Sequence, residues 1–265
     1  MKKGKQMKVK LYQVDAFARK TFEGNPAAVC PLDKWLDERI MQNIAMENNL
    51  SETAFFVKNG EQYDIRWFTP TKEVNLCGHA TLATAYVIFN ILGHLSGRIN
   101  FNSKSGLLQV YKDSEFITMN FPAEPPVPCD TPQAIVDAFG KEPLEVLRSV
   151  DYIVVFDEYE ELAQFAPNLD ALKTLDLRGV CITARDKTYD FVSRFFAPNY
   201  GIDEDSVTGS AYTQLMPYWS NKLQQNSLRS KQLSSRGGEL YCELKGERVT
   251  ISGSAVLYLS GEIEI

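Results

Sequence analysis

The sequence predicts an α/β protein, of the mixed α+β kind, with two pseudo-symmetric domains. Three observations lead to this prediction. The chain has 265 residues, which is more than one domain of ordinary size. Four prolines stand close together near its middle, and one pattern of strand, loop and helix occurs on either side of them. Hydrophobic residues make up 44% of the chain, which is enough for a substantial core.

Strands and helices are mixed in the first half of the chain. Residues 8–17 alternate apolar and polar side chains, which predicts a strand. Asp33 is the predicted N-cap of a helix that runs to about Asn48, because apolar residues recur there at intervals of three and four. Turns are predicted at residues 24–26 and 58–60, where glycine and asparagine favour them. The same reasoning predicts strands at 53–57, 63–68, 99–101, 106–111 and 116–121 and a helix at 80–92.

Residues 122–128 form the predicted domain boundary. The four prolines in this segment exclude a helix or a central strand and favour a stiff, extended connector. The predicted domains are residues 7–122 and 130–254, and a C-terminal strand near 255–265 is expected to return to the first domain. Beyond the connector, the pattern predicts helices at 131–140, 158–165 and 211–222 and strands at 151–156, 180–184, 189–196, 241–244, 249–252 and 255–259.

The two halves share a motif in which a strand ends at a proline and, after a loop, a glycine opens a helix. The two copies are Arg66-Trp67-Phe68-Thr69-Pro70 with Gly78-His79-Ala80, and Arg194-Phe195-Phe196-Ala197-Pro198 with Gly209-Ser210-Ala211. We interpret them as an internal repeat, because order, spacing and aromatic positions agree, although such units also recur by chance. The repeat predicts two like domains facing each other across a cleft, where ligands commonly bind.

Charge and segment lengths argue against several classes of protein. The net charge of −6 at pH 7 is the reverse of the basic excess that nucleic-acid-binding proteins show. The longest apolar stretch, residues 83–92, is far shorter than the roughly 20 residues that span a membrane. Basic residues at 1–6 are followed by no apolar segment, so we expect no signal peptide and interpret residues 1–6 as a tail.

Cysteine and histidine usage bears on compartment and metal content. The five cysteines are odd in number, widely spaced and without a CxxC pair, which favours reduced thiols and a cytoplasmic location. The only histidines are His79 and His94, and two histidines leave little room for a metal site. We therefore expect no metal.

Two glycines stand at predicted helix starts, Gly78 and Gly209. The first N–H groups of a helix lack internal partners and carry partial positive charge, and glycine lets a ligand approach them closely. Two such starts at one cleft would hold a carboxylate. The alternative is an ordinary capped helix, for which Thr208 or Ser210 would serve as the cap.

Three polar residues near these helix starts are candidates for catalysis. Glu52 follows Ser51 and precedes an apolar strand, where partial desolvation would suit it to proton transfer near neutral pH; otherwise it is an exposed strand end. His79 is expected to be kept neutral by the helix dipole, and is otherwise a structural histidine. Asp205 lies in an acidic run, and it either points into the cleft or belongs to a solvated loop.

Five motifs match a known family, in the order in which that family has them. They are Gly24-Asn25-Pro26-Ala27-Ala28-Val29, Leu50-Ser51-Glu52-Thr53-Ala54-Phe55, Phe68-Thr69-Pro70, Leu76-Cys77-Gly78-His79-Ala80-Thr81 and Asp205-Ser206-Val207-Thr208-Gly209-Ser210. Together they resemble the PhzF-like isomerases of phenazine biosynthesis. The resemblance implies the diaminopimelate-epimerase-like fold, with a curved mixed sheet around a central helix in each domain and the site between the domains. It also implies a homodimer that uses no metal or organic cofactor.

The resemblance further implies a reaction and the residues that carry it. The phenazine enzyme isomerises dihydro-3-hydroxyanthranilate by moving a proton around the ring, so a small carboxylate substrate is expected. By motif match, Glu52 would be the acid and base that carries the proton, and His79 and Asp205 would hold and polarise the substrate. The substrate-binding residues by the same match are Asn25, Ser51, Gly78, Gly209 and Ser210.

Two alternatives remain open at this point. Related epimerases and proline racemases use two cysteines, one on each side of the substrate. Here Cys77 stands beside Gly78, but the opposite loop offers Ser206 in place of a second thiol. That disfavours a two-thiol racemase. It leaves a cysteine-assisted racemase or epimerase in which Cys77 acts with Ser206 or Asp205, or a non-catalytic small-molecule-binding relative. The phenazine enzymes often have proline at the position of Ser206, so the substrate is not fixed by the resemblance.

Overall fold

The computed structural model describes residues 7–265, and the predicted tail at residues 1–6 lies outside them. The chain divides into two compact units. The first comprises the described residues up to Asn120 together with Gly253–Ile265, and the second is Phe121–Ser252. The domain limits predicted from the sequence, 7–122 and 130–254, stay a prediction.

Strands make up most of both units. In chain order they are β1 (Lys8–Ala16), β2 (Asn25–Leu32), β3 (Glu52–Asn59), β4 (Gln62–Phe68), β5 (Glu73–Val74), β6 (Arg98–Ser103), β7 (Gly106–Asp113), β8 (Phe116–Pro122), β9 (Val127–Pro128), β10 (Glu145–Arg148), β11 (Tyr152–Glu158), β12 (Val180–Arg185), β13 (Phe191–Ala197), β14 (Ile202–Asp205), β15 (Ser227–Gln232), β16 (Gly238–Lys245), β17 (Arg248–Gly253) and β18 (Ala255–Glu264). The α-helices are α1 (Glu38–Asn48), α2 (Gly78–Tyr86), α3 (Gln133–Phe139), α4 (Tyr159–Gln164), α5 (Leu169–Leu172) and α6 (Tyr212–Leu223).

The two units repeat one strand order. In the first unit the order is β18, β1, β2, β3, β4, β6, β7 and β8, and β5 also pairs with β4. In the second it is β9, β10, β11, β12, β13, β15, β16 and β17, and β14 also pairs with β13. The parallel pairs fall at the same places, β2 with β3 and β4 with β6 in one unit, and β11 with β12 and β13 with β15 in the other. The repeat seen in the sequence therefore corresponds to a repeat of topology.

The arginine of each sequence repeat ties a short strand to its neighbour. Nε and Nη2 of Arg66 donate to the two carboxylate oxygens of Glu73, both at 2.7 Å, and the guanidinium lies over the Phe68 ring. Arg194 donates in the same way to Glu204, at 2.7 and 3.0 Å, and lies over Phe196. The planar guanidinium fork suits a bidentate carboxylate pair, which explains why arginine stands two residues before phenylalanine in both copies.

Helix α2 is the buried centre of the first unit. Its side chains from His79 to Ala85 are all buried, and the helix packs on β1, β2, β3 and β18. Small residues let the strands approach closely, and Thr81 and Thr84 satisfy their hydroxyls by donating to the carbonyls of Cys77 and Ala80. A helix that is apolar all round is expected only in such a position. The predicted helix at 80–92 is continuous with it, but from Val87–Ile91 the winding is that of a π-helix.

The predicted N-cap Asp33 is wrong. Helix α1 begins at Glu38, and its cap is Asp37, whose Oδ1 accepts a hydrogen bond from the backbone N–H of Arg39 at 2.9 Å. Both aspartates suit an N-cap, but the buried face of the helix begins only at Met41, so the later one is used. The predicted end is correct, because Asn49 adopts the left-handed conformation with φ of 49° just after Asn48.

The sequence pattern does not predict strand β15, and the reason is physical. Its inward side chains are Leu228, Ser230 and Gln232, so two of the three buried positions are polar and the alternation of apolar residues is hidden. The hydroxyl of Ser230 lies 3.2 Å from that of Tyr212 on α6, which satisfies it inside the unit. The prediction also missed the short elements β5, β9, β10, β14 and α5.

Within residues 7–265, no helix combines the length and the apolar character that crossing a membrane requires. The five cysteines form no disulfide.

Two glycines in the first unit allow a matched test of backbone constraint. Gly24 and Gly60 both have positive φ, of 66° and 63°. A Cβ on Gly24 would collide with the backbone oxygen of Ala16, whereas a Cβ on Gly60 would meet nothing within 4 Å. Gly60→Ala is expected to cost about 1 kcal/mol of unfolding free energy from backbone strain alone. Gly24→Ala is expected to cost at least about 3 kcal/mol, because strain and overlap add. Urea unfolding of the two variants checks this, and equal costs would contradict the described approach of Gly24 to β1.

Candidate active site

Four sequence-predicted residues of the first unit come together at the start of α2. Asn25 is the first residue of β2 and Glu52 the first residue of β3, and these two parallel strands place Ala27 opposite Glu52. The third and fourth, Gly78 and His79, are the first two residues of α2. The amino ends of two strands and a buried helix therefore meet at one point.

The ring of His79 lies between Asn25, Cys77 and Glu52. Its Nδ1 is 3.4 Å from Nδ2 of Asn25 and 3.5 Å from Sγ of Cys77. Its Nε2 is 3.2 Å from Oε2 of Glu52, a close contact that is not aligned as a hydrogen bond. The imidazole thus connects a carboxylate on one side with an amide and a thiol on the other.

These contacts assign the tautomer of His79. An amide –NH₂ is a donor only, so Nδ1 of His79 accepts from Asn25; the thiol of Cys77, which can donate or accept weakly, lies on the same side of the ring. The ring proton of a neutral imidazole then sits on Nε2, which faces the carboxylate of Glu52. His79 therefore presents an N–H donor toward Glu52 and toward whatever binds beside it.

His79 is neutral because it is buried. Its side chain is 7% exposed, and desolvation lowers its pKa from 6.5 to about 3. The sequence alone predicts a neutral ring for another reason, the helix dipole. A ring with so low a pKa does not take up a proton near pH 7, so it acts as a hydrogen-bond donor and not as a base.

The first turn of α2 is uncapped. Cys77 occupies the N-cap position, but its side chain makes no capping hydrogen bond. The first hydrogen bond of the helix runs from the N–H of Thr81 to the carbonyl of Cys77, so the N–H groups of Gly78, His79 and Ala80 precede the helical ladder. Helix donors that precede the ladder and carry partial positive charge next to Glu52 make this point suited to a developing negative charge.

The same residues form a cluster of possible metal ligands. Glu52, Cys77 and His79 offer one ligand atom each, and these atoms lie within 4.8 Å of one another. Oxygen, sulfur and nitrogen donors are those of zinc sites. The two close contacts use opposite nitrogens of the His79 ring, however, and one ion can take only one of them. The arrangement therefore suits a row of polar contacts through the ring, and the expectation of no metal stays a prediction.

The remaining predicted residues lie in the second unit, on the segment between β14 and α6. Asp205 accepts a hydrogen bond from the hydroxyl of Thr208 at 2.5 Å, and Gln232 on β15 donates to the Asp205 carbonyl at 2.8 Å. Gly209 is buried and opens a 3₁₀ turn, Gly209–Ala211, so α6 starts one residue later than predicted. The hydroxyl of Thr208 binds Asp205 and does not cap the helix. In the first unit, Ser51 is half-buried directly before β3.

Sequence reasoning missed a buried ion pair beside Ser210. Nε and Nη2 of Arg178 donate to the carboxylate of the fully buried Asp151 at 2.9 and 2.6 Å, and Nη2 also donates to Oγ of Ser210 at 3.1 Å. The side-chain amide of Gln214 donates to the same carboxylate at 2.7 Å. No local pattern marks this set, because Asp151, Arg178 and Ser210 lie far apart in the sequence. The one available signal was Asp151, an aspartate directly before an apolar strand.

Comparison with known proteins identifies the family. Residues 14–261 match the PhzC-PhzF family, described as phenazine biosynthesis-like protein. This chain belongs to that family. A Pseudomonas aeruginosa protein named as an uncharacterized isomerase is 51% identical over 259 residues, which covers 98% of this chain and 100% of the relative.

Solved structures of phenazine biosynthesis-like and related proteins support the fold. An Enterococcus faecalis protein described as a PhzF-family phenazine biosynthesis protein superposes with a TM-score of 0.96 at 47% identity, covering 98% of this chain and all of that one. A hydroxyproline epimerase from Agrobacterium vitis, with trans-4-hydroxy-L-proline bound, has a TM-score of 0.64 at 10% identity, covering 97% of this chain and 93% of that one. The predicted diaminopimelate-epimerase-like fold is therefore confirmed, and the more distant likeness shows the fold alone.

The neutral buried His79 predicts a pH dependence of stability. The folded protein holds the pKa of His79 near 3, while the unfolded chain has 6.5, so the unfolded state binds this proton first. Stability from His79 is complete above about pH 6.5 and falls as the pH drops toward 3, by about 1.4 kcal/mol per pH unit. Urea titrations at pH 7.5 and pH 5.0 measure how far the unfolding free energy drops between these two pH values. The drop should be about 2 kcal/mol smaller in His79→Gln than in the unchanged protein.

His94→Gln is the matched control, since it removes the other histidine, which is half-buried and contacts the hydroxyl of Tyr63. The pH dependence that the burial of His79 produces should remain in this variant, so that its loss in His79→Gln is assigned to His79. The same pH dependence in His79→Gln would contradict a neutral, buried His79.

Proposed function

We propose that this protein is a cofactor-independent isomerase that shifts a proton on a small carboxylate substrate, with Glu52 as the acid and base. One observation carries the proposal: the Glu52 carboxylate lies 3.2 Å from a buried, neutral histidine at the uncapped start of a buried helix. The relatives that are named isomerases support the reaction class.

In the proposed reaction, Glu52 takes a proton from a C–H bond of the substrate next to an electron-accepting group. The electron pair of that bond moves into the acceptor and leaves a negative charge there. The N–H groups at the start of α2 and Nε2–H of His79 stabilise this charge as it forms. Protonated Glu52 then returns the proton to a different carbon of the same molecule, so atoms and electrons balance without a cofactor.

The position of Glu52 favours proton transfer. Its side chain is 14% exposed, enough to meet a small substrate but largely shielded from water. His79, held by Asn25 through Nδ1, keeps a donor beside Oε2 of the carboxylate. We assign His79 and Asn25 to orientation and polarisation, and Gly78 and Ser51 to substrate binding.

Residues of the second unit complete the proposed set of binding groups. We propose that Asp205 polarises the substrate and that Gly209 and Ser210 contact its polar atoms, as the family motif implies. The contacts of Asp205 with Thr208 and of Ser210 with Arg178 support this, because they fix the two side chains in position. A homodimer and a cytoplasmic location also stay proposals here.

A cysteine-assisted racemase is the second candidate. The observation that favours it is the row formed by Cys77, His79 and Glu52, with Sγ of Cys77 3.5 Å from Nδ1 of the ring. A racemase must remove a proton from one face of a carbon and deliver one to the other, which requires two groups. In the first unit, Cys77 lies beside Nδ1 of His79 and Glu52 lies beside Nε2. These two residues are the pair that would exchange protons with the substrate.

The proposal predicts that proton exchange depends on Glu52. The protein is incubated in deuterated water with a set of small carboxylates that includes dihydro-3-hydroxyanthranilate and trans-4-hydroxy-L-proline, and deuterium uptake is followed by mass spectrometry. Glu52→Gln removes the base but keeps the shape, so exchange should slow by roughly 100-fold or more. Glu47→Gln makes the same change at an exposed site on α1 and should exchange at the original rate.

Deuterium exchange in Glu52→Gln at the rate of the unchanged protein would contradict the assignment of Glu52 as the acid and base. Uptake into no carboxylate of the set, with binding of one of them, would favour the non-catalytic alternative.

Replacement of Cys77 separates the two candidate reactions. Under the proposed isomerase, Cys77→Ala should keep at least about half of the exchange rate, because the thiol only donates weakly to Nδ1 of His79. Under the racemase, exchange and the interconversion of L- and D-proline should both fall by roughly 100-fold or more. Chiral chromatography of the products measures the interconversion. A large loss of both the exchange rate and the interconversion in Cys77→Ala would therefore favour the racemase over the isomerase.

A further inference from the structure

The second unit contains a buried carboxylate whose partners are all fixed. Asp151 is fully buried, and its two oxygens accept hydrogen bonds from Nε and Nη2 of Arg178 at 2.9 and 2.6 Å. Gln214 on α6 donates to the same carboxylate at 2.7 Å and accepts from the backbone N–H of Asp151 at 3.0 Å. A charge-assisted fork of this kind holds a guanidinium in one plane.

This fixed guanidinium sets the direction of a serine hydroxyl. Nη2 of Arg178 donates to Oγ of Ser210 at 3.1 Å, so the serine oxygen is used as an acceptor on that side. Its own O–H has no acceptor among the side chains and backbone groups that the structure describes. The carbonyl of Ser210 accepts from the hydroxyl of Thr213 at 2.7 Å, which fixes the backbone as well. Ser210 is thus left as a donor.

Arg178 also keeps donors of its own. Its Nε and Nη2 are engaged, and Nη1 has no partner in the described part of the chain. The side chain is 32% exposed, whereas its partner Asp151 is fully buried. The guanidinium is therefore reachable by a small molecule while its counter-ion is not.

We propose that Arg178 is a positioning and specificity residue, which holds Ser210 as a hydrogen-bond donor and, with its own Nη1, selects a carboxylate oxygen of the substrate. The inference rests on the proposed function in one respect, namely that Ser210 contacts the substrate. It adds a residue that the family motif does not contain, and it states which substrate group this residue recognises.

The charges around Arg178 favour selection by directed donors over simple attraction. Asp151 neutralises the guanidinium, and Asp205 and Glu124 also act on it electrostatically. Burial is the largest single influence on Arg178 and opposes its charged form. The hydrogen bonding to Asp151 and the charges of Asp151, Asp205 and Glu124 together outweigh burial and raise its pKa, so the fork stays charged. A carboxylate gains from charged donors more than a neutral amide of the same shape does.

The test compares two ligands of matched shape, 3-hydroxyanthranilate and its carboxamide, by isothermal titration. The unchanged protein should bind the carboxylate about 10-fold more tightly than the carboxamide, or better. Arg178→Gln with Asp151→Asn removes both charges together, so no buried carboxylate is left unpaired. In this double variant the ratio should fall to about 1–2. In Ser210→Ala, which keeps Nη1 of Arg178, the ratio should fall only in part, and adding Ser210→Ala to the double variant should lower it no further.

Arg178→Lys distinguishes positioning from charge alone. Lysine keeps the positive charge but cannot fork to Asp151 and reach Ser210 as a planar group, so most of the ratio should be lost. The matched control is Arg148→Gln with Asp176→Asn, an exposed pair of the same unit with a 3.0 Å contact, which should keep the ratio. Circular dichroism and thermal unfolding confirm that each variant is folded.

Three results would overturn the inference. The first is an unchanged ratio of carboxylate to carboxamide affinity in the folded double variant, and the second is a full ratio in Arg178→Lys. The third is an unchanged protein that does not distinguish the two ligands, either because it binds both equally or because it binds neither. The test is separate from that of the proposed function, because it measures binding without turnover. A normal ratio in Glu52→Gln, with unaltered deuterium exchange, would remove the isomerase assignment and leave Arg178 in its role.

Discussion

The burial of α2 is the constraint on which the first unit depends. A helix enclosed by four strands has no polar face, so its side chains are small or apolar except at its start. There Cys77, Gly78 and His79 enter the core together, and His79 becomes neutral because the charged form cannot be solvated. A neutral ring has one acceptor and one donor nitrogen. Asn25 lies at the first, and the carboxylate of Glu52 lies 3.2 Å from the second. The catalytic proposal follows from this packing.

The two units apply one topology to different chemistry. Each has a helix entering after a short strand that an arginine–glutamate fork secures, Arg66 with Glu73 and Arg194 with Glu204. In the first unit the carboxylate of Glu52 on β3 lies beside the neutral imidazole of His79 at the helix start. In the second, the residues before the helix carry a hydroxyl held by a buried ion pair. The repeat therefore supplies a similar scaffold in each unit, and the side chains near the two helix starts differ.

Much of the fold was predictable from local pattern, and the misses have physical causes. The alternation of β1 and the helical spacing of α1 are visible because their buried faces are apolar, whereas β15 hides its pattern by burying Ser230 and Gln232. For the site, motif resemblance indicated Glu52 and His79, but not the cause of the neutral ring, which is burial. Arg178 could not be predicted, because its role arises from contacts with Asp151 and Ser210 that only the folded chain brings about.

Nitrogen-15 NMR of the imidazole rings tests the central claim most directly. With histidine labelled and His94→Gln used for assignment, only His79 gives signals. The account predicts a neutral ring with the proton on Nε2, unchanged between pH 8 and 5, because the pKa of His79 lies near 3. A ring that titrates near pH 6.5, or one with its proton on Nδ1, would contradict the account, since Asn25 and Cys77 would then face a donor.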